Sequence, residues 1–153
     1  MADTYTQIHI HAIFAVKNRQ SLITEDFQNR LFNYIISIFH NNGHKVLSIN
    51  GMPDHIHILF GLKPTQSLSK LIQEVKRDSS EWVNKNHLVR KKFAWQSGYG
   101  AFSYSKSQLT IVSKYILNQK KHHQKKSFID EYSKILQNLG IEYDARGIFT
   151  EVK

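Results

Sequence analysis

The chain has 153 residues, 41% of them apolar, which is enough for a single domain over 1–153 with its own core. Lys and Arg number 21 against 12 Asp and Glu, a net charge of +9 with a pI of about 9.7, which favours a polyanionic partner and says nothing about fold. There is no cysteine, so disulfides, thiolate zinc sites and thiol nucleophiles are excluded. The opening MADTYTQ lacks a signal-peptide pattern, and no apolar run approaches the roughly 18 residues of a membrane span. The expectation is a soluble cytoplasmic protein with no membrane partner.

Residues Tyr5 to Val16 alternate and are rich in β-branched and aromatic types, which predicts a first strand. The polar KNRQS follows. Thr24 is placed to cap a helix with Glu25 and Asp26 in its first turn, and Phe27, Leu31, Phe32, Ile35, Ile36, Ile38 and Phe39 recur at helical spacing to about Asn41. Gly43 can end that helix. HKVLSIN reads as a second strand, GMPD as a turn and HIHILFGL as a third strand, a hairpin. Ser67 then caps a long helix whose stripe is Leu68, Leu71, Ile72, Val75 and Trp82. FAWQSGYGAFSYS predicts a fourth strand with irregular ends. Helices are predicted from Ser107 to about His123 and from Ile129 to Leu139, stopping at Gly140.

The order β-α-β-β-α-β followed by helices predicts an α+β, ferredoxin-like fold. This is the split βαβ plan: a four-stranded antiparallel sheet with helices on one face, plus a C-terminal helix that carries Tyr115. Its first and third strands are central neighbours, which would bring together two His-x-His pairs, His9 with His11 and His55 with His57.

Side chains two apart on a strand share a face, so His55 and His57 can offer two imidazoles to one ion. Two ligands are too few for a metal site, and two histidines satisfied by backbone or water explain the pair equally. A third donor exists in SKYILNQKKHHQKK. Tyr115 and Gln119 are four apart on a predicted helix; Gln119 offers a carbonyl oxygen suited to Mg²⁺ or Mn²⁺, and Tyr115 a phenol able to act as a nucleophile or simply to pack on the sheet. Lys114, Lys120, Lys121, Lys125 and Lys126, with His122 and His123, make this region a phosphate-binding rim or a wet helical face. Trp95, Tyr99, Phe102 and Tyr104 can stack unpaired bases or fill a core. His9 and His11 have no third donor at matching spacing and read as structural or as groups supporting a neighbouring site, with DNA contact as the alternative. Glu74, Lys76 and Arg77 read as a solvated helix face. The sequence assigns no role to His122 and His123.

MPDHIHILFGL, WQSGYGAFSYS and VSKYILNQKKHH, in that order, resemble the TnpA-type single-tyrosine HUH transposases of small bacterial insertion sequences, the IS200-like type. IHAIFAVKNRQSLI is similar to that family's first strand and the basic turn after it, which adds Lys17 and Arg19 to the DNA-facing candidates. The likeness runs from about residue 5 to 128. It implies an RNA-recognition-like sheet and a homodimer with sites shared between subunits. It also implies a divalent ion, Mg²⁺ or Mn²⁺, on His55, His57 and Gln119. Tyr115 would attack a phosphate of single-stranded DNA to give a 5′-phosphotyrosine link and a free 3′-OH, with hairpins at the element ends as substrates. DNA contacts would fall on Lys17, Arg19, Lys114, Lys120, Lys121, Trp95 and Tyr99. The alternatives are a non-catalytic single-strand-binding module and a domesticated HUH nickase acting on genomic hairpin repeats.

Overall fold

A computed structural model describes residues 3–122 and 127–143. Four strands form one antiparallel sheet: β1 (His9–Ala15), β2 (Lys45–Met52), β3 (His55–Gly61) and β4 (Gly100–Ser103), in the order β2-β3-β1-β4. β1 and β3 are therefore the central pair, as the β-α-β-β-α-β order predicts. Their register sets Ala15 opposite His55, Ile13 opposite His57 and His11 opposite Leu59. Both strands are buried on both faces, and this explains their nearly unbroken apolar runs.

Strand alternation sorts these residues. Ile10, Ala12 and Phe14 of β1 and Ile56, Ile58 and Phe60 of β3 enter the main core with α1 (Gln28–Asn41) and α2 (Leu68–Lys85). His11, Ile13 and Ala15 of β1 and His55, His57 and Leu59 of β3 take the opposite face. That face is covered by α3 (Leu109–Leu117), by the single turn α4 (Gln119–His122) and by α5 (Phe128–Asn138). Val112 and Ile116 of α3 pack on Leu59, and Phe128, Tyr132 and Leu136 of α5 pack with Ile13 and Ala15. The tyrosine-bearing helix thus lies on the face that α1 and α2 leave free.

Several boundaries move. β1 begins at His9 rather than Tyr5. Thr24 does not cap α1; its carbonyl accepts from the amides of Phe27 and Gln28, forming a turn, and the helix starts four residues later. Ser67 does cap α2, its Oγ accepting from the Lys70 amide. The fourth strand shortens to four residues because the chain before it leaves the ladder: Trp95 makes an isolated bridge with Val16, and Gly98 adopts φ +87°. The helix predicted from Ser107 to His123 breaks at Asn118. There the carbonyls of Ile116 and Leu117 accept from Asn50 Nδ2 of β2, at 3.1 and 3.0 Å, which satisfies two carbonyls that a helix end leaves open. This bond ties α3 to the sheet beside the histidines. His123, Lys125 and Lys126 and the His122 side chain lie outside what is described.

Candidate active site

The β2–β3 hairpin sets the first pair of groups. Gly51 is required there, since a Cβ on it would stand 2.2 Å from the His55 carbonyl oxygen. Past the turn, Asp54 Oδ1 meets His55 Nδ1 at 2.7 Å. A carboxylate only accepts, so His55 holds its proton on Nδ1 and turns Nε2 inward. His57, two residues on, shares that face. Both imidazoles are fully buried.

Five side chains surround these two rings. Gln119 Oε1 is 3.1 Å from His55 Nε2. Glu131 of α5 places Oε1 3.2 Å from His57 Nε2 and 3.4 Å from His55 Nε2. Its Oε2 accepts from the Tyr115 hydroxyl and, at 2.9 Å, from Gln119 Nε2. The Tyr115 ring stands edge-on to His57, centroids 5.9 Å apart. Behind His57, Nδ1 meets His11 Nε2 at 2.8 Å. Phe128 stacks on the His55 ring at 4.2 Å and closes that side.

The electrostatics follow from burial and two carboxylates, Asp54 and Glu131. Burial alone would lower the His55 pKa, but the hydrogen bonds and charges of Asp54 and Glu131 outweigh it and raise it. His11 has no carboxylate partner, and burial, helped by His57, lowers it to about 3, so it is neutral. The Tyr115 phenol is pushed up, first by burial and then by the Glu131 charge and hydrogen bond. In this closed arrangement Tyr115 is a protonated phenol, not a phenolate.

The donor set fits a divalent ion. His55, His57 and Glu131 offer ligand atoms that all lie within 4.8 Å of one another. Adding the Gln119 oxygen gives two imidazole nitrogens, a carboxylate and an amide. Neighbouring ligand atoms on a six-coordinate ion bound at about 2.1 Å are about 3 Å apart, close to the 3.1 to 3.4 Å spacings found here. The carboxylate and amide oxygens suit Mg²⁺ or Mn²⁺ and the imidazoles suit later transition metals, so the set fits a divalent ion without selecting one.

The four residues expected at the chemistry, Tyr115, His55, His57 and Gln119, are thus brought together. Tyr115 and Gln119 do not share one helix: they flank the Asn118 break, on α3 and α4. The DNA-facing candidates divide. Lys114, Lys120 and Lys121 are exposed on α3 and α4, and Lys17 is exposed just beyond β1, at the His55 end of the sheet. Arg19 is half-buried with a left-handed backbone, φ 52°. The expectation for Trp95 is corrected: it is a core residue, edge-on to Phe14 and Phe93, its indole N–H bonded to Ser79 Oγ at 2.9 Å, and it presents no free face to a base. Tyr99 is half-buried against the same core with the Lys76 ammonium over its ring. Lys76 also leaves the solvated face expected of it, donating to the Gln96 and Gly98 carbonyls.

Glu131, Asp54 and Asn50 are not found by reading motifs, whereas His11 stands in the supporting position expected of it, behind His57. Glu131 did leave a trace: it occupies the stripe formed by Phe128, Tyr132, Ile135 and Leu136, where a helix packed on a sheet should carry an apolar residue. Asp54 and Asn50 look like ordinary turn and strand residues and carry no such signal.

Comparison with known proteins identifies the family and the fold. The family model described as "Transposase IS200 like" matches residues 4–119, a span that includes both histidines, Tyr115 and Gln119 and stops short of Glu131. The ISDra2 transposase TnpA of Deinococcus radiodurans is 26% identical over 118 residues, covering 74% of this chain and 84% of its own. The fold is shared with a crystal structure described as a transposase from Deinococcus radiodurans R1 (TM-score 0.62, 21% identity, 78% of this chain and 96% of that one). It is shared as well with a REP-associated tyrosine transposase bound to a REP hairpin (TM-score 0.60, 17% identity, 100% and 94%). With a family match that spans most of its length, the chain belongs to the IS200-like transposases.

Proposed function

We propose that the chain cleaves and rejoins single-stranded DNA at hairpin-marked sites by metal-dependent transesterification, with Tyr115 as nucleophile and His55, His57, Gln119 and Glu131 as the metal-holding set. The observation that carries this reading is the convergence of a phenol, two imidazoles, an amide and a carboxylate in one buried cluster. The Tyr115 oxygen would bond to phosphorus as the bond to the 3′-oxygen breaks, leaving a 5′-phosphotyrosine and a 3′-OH. Glu131 Oε2 already accepts the phenol proton's hydrogen bond and is placed to take that proton. A free phenol is only about 0.1% ionised at pH 7, so such an acceptor matters. A bound divalent ion supplies charge neutralisation at the phosphate oxygens. Retaining the bond energy in the phosphotyrosine makes rejoining possible without a nucleotide cofactor.

Two consequences follow. His55, His57 and Gln119 are fully buried, so a phosphodiester reaches them only when Phe128 swings off the His55 ring, while Glu131 keeps its place beside Tyr115. The cluster is also complete within one chain, which favours a tyrosine acting beside its own histidines over the shared-site homodimer that the family likeness implies. Mixing Tyr115→Phe with His57→Ala protein distinguishes the two: a site built in one chain gives no recovery of cleavage, whereas a shared site restores part of it.

The test is a labelled single-stranded hairpin incubated with the protein and Mn²⁺ or Mg²⁺. A denaturation-resistant adduct should form and vanish in Tyr115→Phe; an undiminished adduct in that variant would remove Tyr115 from the chemistry. A second reading, action on dispersed genomic hairpin repeats rather than on an element's own ends, is supported by the likeness over the full chain to a protein that binds a REP hairpin. Imperfect palindromes flanking the gene would favour the transposon reading, and their absence the dispersed-repeat reading.

A further inference from the structure

Beside Tyr115 lies a cavity of about 210 Å³ lined by His11, Tyr104, Ile111, Val112, Tyr115 and Ile135. Its walls are aromatic and aliphatic. One buried polar group belongs to it: His11 is only 1% exposed, and its Nδ1 has no hydrogen-bond partner. An unpaired buried ring nitrogen is costly unless something binds it. The cavity is smaller than the roughly 300 Å³ at which pockets for drug-sized ligands begin, so it suits one flat ring system rather than a whole nucleotide. It adjoins Tyr115, and the same helix carries the exposed Lys114.

We infer that this cavity receives one unpaired nucleobase of the DNA strand being cleaved, next to the phosphate that Tyr115 attacks, with His11 Nδ1 as its hydrogen-bonding handle. The inference rests on the nuclease reading of the site. Enzymes that bind a base out of its stack hold it between aromatic or apolar side chains and read its edge with a few polar atoms, and the cavity has that composition. The handle has a defined sense. When His57 Nε2 is a metal ligand, its proton lies on Nδ1 and is donated to His11 Nε2. Neutral His11 then carries its own proton on Nδ1 and offers a donor to a base oxygen or ring nitrogen. This gives His11 a function that its spacing from His9 alone does not explain. Only Ile135 comes from α5; the other walls belong to β1, to Tyr104 and to α3.

The test is fluorescence anisotropy of the full chain with labelled 12-mers of thymidylate, cytidylate and deoxyadenylate, and with an abasic 12-mer of equal charge, in EDTA and again with Mn²⁺. At least one base-bearing strand should bind about tenfold or more tighter than the abasic strand, in line with base–aromatic stacking elsewhere. Val112→Phe, which fills the cavity, should erase that margin and leave abasic binding unchanged. His11→Phe, which keeps the ring wall and removes the nitrogen, should cut the margin by about two- to tenfold. Equal binding of wild-type protein to base-bearing and abasic strands would overturn the inference whatever the variants do. So would a full margin in Val112→Phe. If the base margin is present but hairpin DNA gives no Tyr115 adduct, the pocket stands and the nuclease reading fails. If the adduct forms without a base margin, the reverse holds.

Discussion

Replacing Glu131 with Gln keeps the shape of the side chain and removes its charge. The carboxylate serves four groups at once: His55, His57, Gln119 and Tyr115. Hydrogen bonds to a charged group contribute about 1.5–3 kcal/mol. The lost stabilisation should sit in that range rather than above it, because Asp54 still holds His55 and the new amide oxygen can still accept from Tyr115. For a chain of this length each kcal/mol moves the melting temperature by about 2–4 °C, so the variant should melt about 3–12 °C lower in EDTA. Circular dichroism melts read this directly. The same melts with Mn²⁺ add a second number. A ligand at one hundred times its Kd stabilises by about 2.7 kcal/mol, and a metal site that loses its carboxylate should lose a substantial part of that gain at the same Mn²⁺ concentration. Equal melting in EDTA together with an equal Mn²⁺ gain would refute the view that Glu131 ties the site together and completes the metal set.

The remaining predictions concern single groups. His57→Ala should abolish metal-dependent cleavage of hairpin DNA while anisotropy shows hairpin binding largely retained; unchanged cleavage would reject the metal site. Lys76 is lowered to about 8 by burial, between the Gln96 and Gly98 carbonyls and the Phe14 and Tyr99 rings. Its unfolded form titrates near 10.5, so between about 8 and 10.5 the unfolded chain binds more protons and stability from this group rises with pH. Denaturant melts of wild type minus Lys76→Met should show that rise, and a flat difference would contradict the burial of its charge.

Much of this was legible in the chain, for reasons that differ between elements. β1 and β3 were readable because strand alternation and apolar type agree, and their adjacency followed from element order alone. Ser67 was readable as a cap because the side chain itself does the capping, its Oγ accepting from the Lys70 amide. Thr24 misled: its backbone carbonyl is used in a turn, and a sequence shows the side chain, not the carbonyl. The break at Asn118 was hidden because its cause, Asn50, lies on another element. Trp95 was ambiguous because an indole serves a core or a base equally well until Ser79 is seen against its N–H. At the site, the His-x-His pair announces itself by spacing, whereas Glu131 joins it only through the packing of α5 on the sheet. A carboxylate on an apolar helical stripe was the one local clue.

The central claim is that Tyr115 forms the covalent bond to DNA. After reaction with a single-stranded hairpin and Mn²⁺, trypsin digestion should release the peptide running from Tyr115 to Lys120, and mass spectrometry should find nucleotide phosphate attached to Tyr115 itself. Hairpin binding and strand cleavage without that attachment, or with attachment at any other tyrosine, would contradict the account.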